Sequence, residues 1–152
     1  MAFLGSLDIA ASGITAQKKR MDVISENIVN RETTRTAEGG PYRRKLTVFQ
    51  EIPSQSRFAS RLKSESLRYR EKSSASHGGV MVREIIEDQS EMIPVYDPNH
   101  PDANEEGYVM MPNVDNTKEM VDAMAASRSY EANITAFNAM KAIALKALEI
   151  GK

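Results

Sequence analysis

The stretch from residue 116 to residue 150, NTKEMVDAMAASRSYEANITAFNAMKAIALKALEI, holds neither Gly nor Pro and is rich in Ala, Met, Leu, Glu and Lys. These residues lose least on entering a helix. Met120, Ala123, Ser127, Tyr130, Ile134 and Phe137 recur at alternating intervals of three and four, the period of one helical face, and Met140, Ala144 and Leu148 continue the stripe. Lys141 falls where the next apolar residue is due, so the stripe drifts. That suits a straight helix touching several neighbours better than a two-stranded zipper. Asn116 is predicted to cap this helix, with Glu119 in capping-box position and Gly151 as its stop. Alanines on several faces would let other helices approach closely.

The other end of the chain carries a second seam. Leu7, Ile14, Met21 and Ile28 recur every seven residues, the interval that keeps one stripe toward a partner helix. The predicted helix runs from about residue 6 to 30, with Ser6 as N-cap and Asp8 near the positive end of the helix dipole. Its other faces carry Gln17, Lys18, Lys19, Arg20, Asp22 and Glu26, as a partly solvated helix should. An amphipathic helix in the core of its own domain would show the same seam. The assembly-interface residues are accordingly Leu7, Ile14, Met21, Ile24 and Ile28 in the first helix, and Met120, Met124, Tyr130, Ile134, Phe137, Leu145 and Leu148 in the last.

The 86 residues between, 31 to 116, follow neither rhythm. Gly39, Gly40 and Pro41 end the first helix. Strands are predicted over Tyr42 to Phe49 and Val80 to Ile86. Met92 to Tyr96 and Gly107 to Met111 are shorter candidates, limited by Pro94 and Pro112. The triplet Arg43, Arg44, Lys45 reads as a solvated or interfacial strand face. Residues 54–76 are Ser-rich, with six basic residues against two acidic ones, and read as a mobile loop or an arm that orders on contact. The expected fold is α+β, mainly α. Long terminal helices pair in coiled-coil fashion in 1–35 and 116–152, and a small β-rich region fills 36–115.

Composition removes several function classes. The net charge of −1 (20 Lys plus Arg against 21 Asp plus Glu) gives no general attraction to nucleic acid. The absence of cysteine excludes disulfides, thiol catalysis and zinc–thiolate sites. No segment has the length of a membrane span, and the N-terminus is not expected to be a cleaved secretory signal. His77 and His100 share no ligand spacing and read as surface loop residues. The loop from Asp97 to Gly107 is dense in oxygen donors, but Asp102 stands where an EF-hand requires Gly and two prolines stiffen it. It reads as a rigid brace before Tyr108. No catalytic, cofactor or metal site is expected.

Three segments carry a family resemblance. Leu7 to Ala10 and Met21 to Asn30 form the first, and Gly39 to Lys45 narrows it. The second runs from Val95 to Val114 through Asp97, Pro98, His100, Gly107, Tyr108 and Asn113. The third takes in Glu119 to Val121, Ala126 to Asn133 and Lys146 to Gly151. Together they resemble the bacterial flagellar rod and hook proteins, over residues 4 to 53 and 78 to 151. Glu26, Val29, Arg31 and Glu32 depart from the usual residues.

The resemblance implies a structural subunit of the proximal rod in the periplasm, exported by the flagellar type III apparatus. It would assemble with copies of itself and other rod proteins to transmit torque and line the export channel. Basal-body ring or rod-base proteins are further partners; the basic stretch 54–76, outside the resemblance, is expected from its charge to contact an acidic surface on a neighbouring ring or rod subunit. No reaction, cofactor or nucleic acid is implied. A soluble helical homo-oligomeric adaptor is the alternative that the seams alone would allow.

Overall fold

The structure, a computed structural model, describes residues 2–37, 39–52 and 78–150. The basic stretch 54–76 and His77 therefore lie outside the described residues. Helix α1 spans Ala2–Val29 and helix α2 spans Asn116–Ile150. Between them run β1 (Lys45–Glu51), β2 (Val80–Glu87), β3 (Ile93–Tyr96) and β4 (Tyr108–Met111). The chain is mainly helical α+β, with two small antiparallel sheets, β1–β2 and β3–β4, between two long helices.

Helix α1 begins four residues earlier than its sequence suggests. Ser6 lies inside the helix, not at its cap, because Gly5 weakens a helix by only about 1 kcal/mol and does not break it. At the other end Asn30 closes the last turn: its N–H and its Nδ2 both donate to the Glu26 carbonyl, at 3.1 and 2.9 Å. Gly39 and Gly40 then take positive φ values of 89° and 81°, conformations that L side chains resist. Tyr42 N–H closes onto the Thr33 carbonyl at 3.0 Å, turning the chain back toward the helix it has left.

The two helices are antiparallel. Gly13 meets Asn133, Arg20 meets Asp122 and Asn27 meets Glu119 along their shared face. A Cβ on Gly13 would lie 2.9 Å from Asn133 Nδ2, so the missing side chain is what allows the backbones so near each other. Continued along the same register, α2 runs past the first residue of α1. Leu148, on that overhang, is 71% exposed.

Strand β1 starts at Lys45, later than the expected Tyr42. Tyr42 to Arg44 are held by partners outside the sheet, Arg44 N–H by Asn113 Oδ1 at 2.9 Å. The β1–β2 register runs from Lys45 opposite Glu87 to Glu51 opposite Val80, and shifts between Val48 and Phe49, where Arg83 is the extra residue. In the second sheet Ile93 to Tyr96 pair with Met111 to Tyr108. Tyr96 and Tyr108 close it edge to face, with ring centroids 5.3 Å apart.

Among the described residues the buried apolar side chains are few and scattered: Ala10, Ala16, Val23 and Ile24 from α1, Tyr42, Val109 and Val114 from the middle, and Ala126 from α2. The largest fully buried side chains include a carboxylate and an amide, Glu119 and Asn27. Polar bonds therefore share the work of holding this thin core.

Candidate assembly interface

A buried polar cluster joins the two helices to β1. Glu119 is 0% exposed, and its Oε1 accepts from Arg44 Nε at 2.6 Å and lies at the same distance from an Arg44 terminal nitrogen. Its Oε2 accepts from Asn27 Nδ2 at 3.0 Å. Asn27 Nδ2 also donates to the Lys45 carbonyl at 2.9 Å, and Asn27 Oδ1 accepts from the Tyr42 hydroxyl and the Lys45 N–H, each at 2.9 Å. The amide thus uses both its donors and both its lone pairs. Asp122 lies one helical turn on from Glu119 and bridges Arg44 at 3.4 Å and Arg20 at 3.2 Å.

Two sequence expectations change here. Glu119 is no capping-box residue and Asn116 is not the cap. Asp115 Oδ1 accepts from Thr117 N–H (2.9 Å) and Lys118 N–H (3.3 Å), while Asn116 Oδ1 is buried without a hydrogen bond. An Asp preceding the helix satisfies its orphan donors and complements its dipole, which frees Glu119 to turn inward. Nor is the basic triplet a solvated face. Arg44 is buried against carboxylates, Lys45 Nζ pairs with Glu26, and Arg43 donates to the Asp88 carbonyl. Arg44 and Lys45 are thus paired with carboxylates, and Arg43 is tied to the backbone.

Burial, reinforced by the charges of Glu26, Glu119 and Glu87, pushes the Tyr42 hydroxyl well above the usual phenol range, so it stays a donor to Asn27. Asp88, at the other side of Arg44, is held below the usual carboxylate range, first by the Ser90 hydroxyl and backbone N–H and then by Arg44. Both shifts widen the pH range over which Tyr42 stays protonated and Asp88 stays ionised.

The expected seam residues separate into two groups. Ile24 is buried, and Leu7, Ile14, Met21, Ile28, Tyr130, Ile134 and Phe137 are half-buried. On α1 the buried line is Ala10, Gly13, Ala16, Val23, Ile24 and Asn27, and the seven-residue stripe borders it. Met120, Met124, Leu145 and Leu148 lie open on α2, joined by Val121 and Ile143. Around Val121, the face of α2 turned away from α1 carries Ala125, Ala132, Ala136 and Ala139, all exposed. On the second sheet Tyr96, Tyr108 and Met110 form an exposed apolar patch on one face, and Ile93 and Val95 are exposed on the other. Patches of this kind on a small chain mark contact surfaces.

Three side-chain oxygens of the oxygen-rich loop accept hydrogen bonds from the protein itself. Asn104 Oδ1 accepts from Glu106 N–H and Tyr108 N–H, Asp97 Oδ1 from Asn99 N–H, and Asp102 Oδ2 from the Thr34 hydroxyl. Among the described residues no three His, Asp or Glu side chains gather as metal ligands, and no helix is long and apolar enough to cross a membrane.

The family model described as the C-terminal part of the flagellar basal body rod FlgEFG proteins matches residues 105–150, the span of β4 and α2. Relatives align along the whole chain. The flagellar basal-body rod protein FlgC of Bacillus subtilis (strain 168) is 49% identical, with all of both chains covered. That of Escherichia coli O6:H1 is 40% identical at the same coverage. That of Borreliella burgdorferi is 40% identical over 99% of this chain and 98% of its own.

Proposed function

This chain belongs to the FlgC family of flagellar basal-body rod proteins, and from that membership we propose that it is a proximal-rod subunit whose two terminal helices join it to its neighbours. It is a structural component of the flagellar basal-body rod, and it assembles with other rod and basal-body components. No reaction is assigned to it.

The observation that carries the finer reading is the division of labour between two surfaces. The polar cluster fixes α1, β1 and α2 to one another, while Met120, Val121, Met124, Ile143, Leu145 and Leu148 of α2 stay uncovered. A face of small and apolar residues suits close helix packing in a tube, where each subunit has neighbours on several sides. Copies of this chain and other rod proteins are the partners assigned to that face. Within such a tube the subunits transmit torque and line the export channel, having left the cytoplasm through the flagellar type III apparatus. The basic stretch 54–76 is assigned to ring or rod-base proteins. Residues 1–35 and 116–152 act as one terminal-helix unit, and 36–115 as the smaller β-rich unit beside it.

Mass spectrometry of basal bodies purified from the native cell with hooks detached is the test. Several copies of the chain, resistant to salt washing, are expected. Its absence would refute the reading and favour the soluble adaptor.

A further inference from the structure

Between α1 and β2 lies an open groove of about 740 Å³, with Ala16, Val80, Met81 and Ile85 among its apolar walls and Lys18 and Lys19 at its α1 edge. Met81 and Ile85 are exposed there. We propose that this groove receives the C-terminal end of α2 from a second copy of the chain, a contact that rests on the reading of the chain as a rod subunit.

Three observations select that occupant. Leu145 and Leu148, three positions apart on one face of α2, are both largely exposed, and they form an apolar wedge with no cover among the described residues. The last turn of α2 contains no basic residue, so its negative end suits a groove whose Lys18, Lys19 and Arg83 outnumber Asp22 and Glu84. Finally, a chain's own α2 end cannot fill its own groove. The antiparallel register carries residues 145–148 to or beyond the start of α1, whereas the groove begins at Ser12, about 15 Å further along at 1.5 Å per residue.

Groove and wedge are different surfaces of one molecule, so their contact is heterologous. Repeated from copy to copy, such a contact builds an open helical array in place of a closed dimer. That is the symmetry a shaft requires.

The chain contains no cysteine, which makes disulfide trapping unambiguous. Met81→Cys and Leu148→Cys variants are co-expressed, basal bodies are purified and oxidised, and the chains are separated without reductant. A species of twice the chain mass that reverts on reduction and joins the two variants is expected, while Met81→Cys paired with Val95→Cys stays unlinked. Ile85→Cys with Leu145→Cys provides a second trap should one substitution disturb packing. If either pair blocks incorporation, the purified chains are oxidised at rising concentration, where the linked dimer must still form. Incorporated chains that remain unlinked in both pairs would overturn the groove contact alone, as would a link from the groove to a different protein. Absence of the unsubstituted chain from basal bodies would overturn the rod reading with it.

Discussion

Replacing Glu119 by Ala should be among the most damaging single changes in the chain. Glu119 is fully buried and takes both an Arg44 guanidinium at 2.6 Å and the Asn27 amide at 3.0 Å. Breaking a buried ion pair from one side costs about 3–5 kcal/mol, because the abandoned charge stays desolvated. Here Arg44 keeps Asp122 at 3.4 Å and Asp88 at 3.8 Å, partly exposed partners worth about 1 kcal/mol or less each. Asn27 Nδ2 also keeps the Lys45 carbonyl. The loss should therefore sit near the lower bound, about 3 kcal/mol, or roughly 6–12 °C in melting temperature for a chain of this size. Urea unfolding of dilute monomer, followed by far-UV circular dichroism, measures it. Arg44→Ala and Glu119→Ala combined should fall short of the sum of the singles by about 2 kcal/mol, and Asp122→Ala should cost under about 1 kcal/mol. Additive singles, or a Glu119→Ala loss below about 1 kcal/mol, would refute the cluster as the clasp between the helices.

Three further outcomes are expected. Met124→Asp, on the open face of α2, should leave monomer stability within about 0.5 kcal/mol yet prevent incorporation into rods. Ile134→Asp, half-buried toward α1, should lower monomer stability as well; equal melting curves for the two would contradict the division of the seam. Gly107→Ala should destabilise the second sheet by about 1–2 kcal/mol, since Gly107 has φ of +83° and an added Cβ would lie 2.9 Å from the Tyr96 ring; unchanged amide exchange in β3 and β4 would count against it. Stability should fall as pH rises above 10.0, the ordinary Tyr value. The unfolded chain releases the Tyr42 proton there while the folded chain retains it, so the folded state binds more protons and loses about 1.4 kcal/mol per pH unit. Tyr42→Phe should flatten that decline, and an unaltered slope in urea titrations from pH 9 to 11 would dismiss the burial argument.

Both helices were legible because their information is local. A Gly- and Pro-free run with three-four spacing makes α2 whatever surrounds it, and the Gly39, Gly40, Pro41 turn and the four strands were likewise visible in short segments. The polar cluster was not. Glu119 and Arg44 are 75 positions apart, and nothing near either residue says that it faces inward. Glu119 three places after Asn116 had a plausible local role, and only tertiary packing shows Asp115 filling it instead. The line buried within the subunit was harder to see: Leu7, Ile14 and Met21 are conspicuous, whereas that line depends on Ala10, Gly13 and Ala16, whose smallness lets the helices meet. A close reading of small residues would have suggested that face. The position of Asn27, with all four of its hydrogen bonds committed, had no signal in one sequence.

The polar cluster also bears on how a rotating shaft can deform. Apolar helix faces slide over one another with little directional preference, so a helix pair held only by such faces could creep under sustained twist. Moving α2 by a single turn, about 5.4 Å, would carry Glu119 away from Arg44 and Asn27 and strand a buried charge. Small shears therefore meet a steep restoring force. The subunit either returns elastically to its register or lets go of it entirely, and drive strain has no intermediate position in which to accumulate.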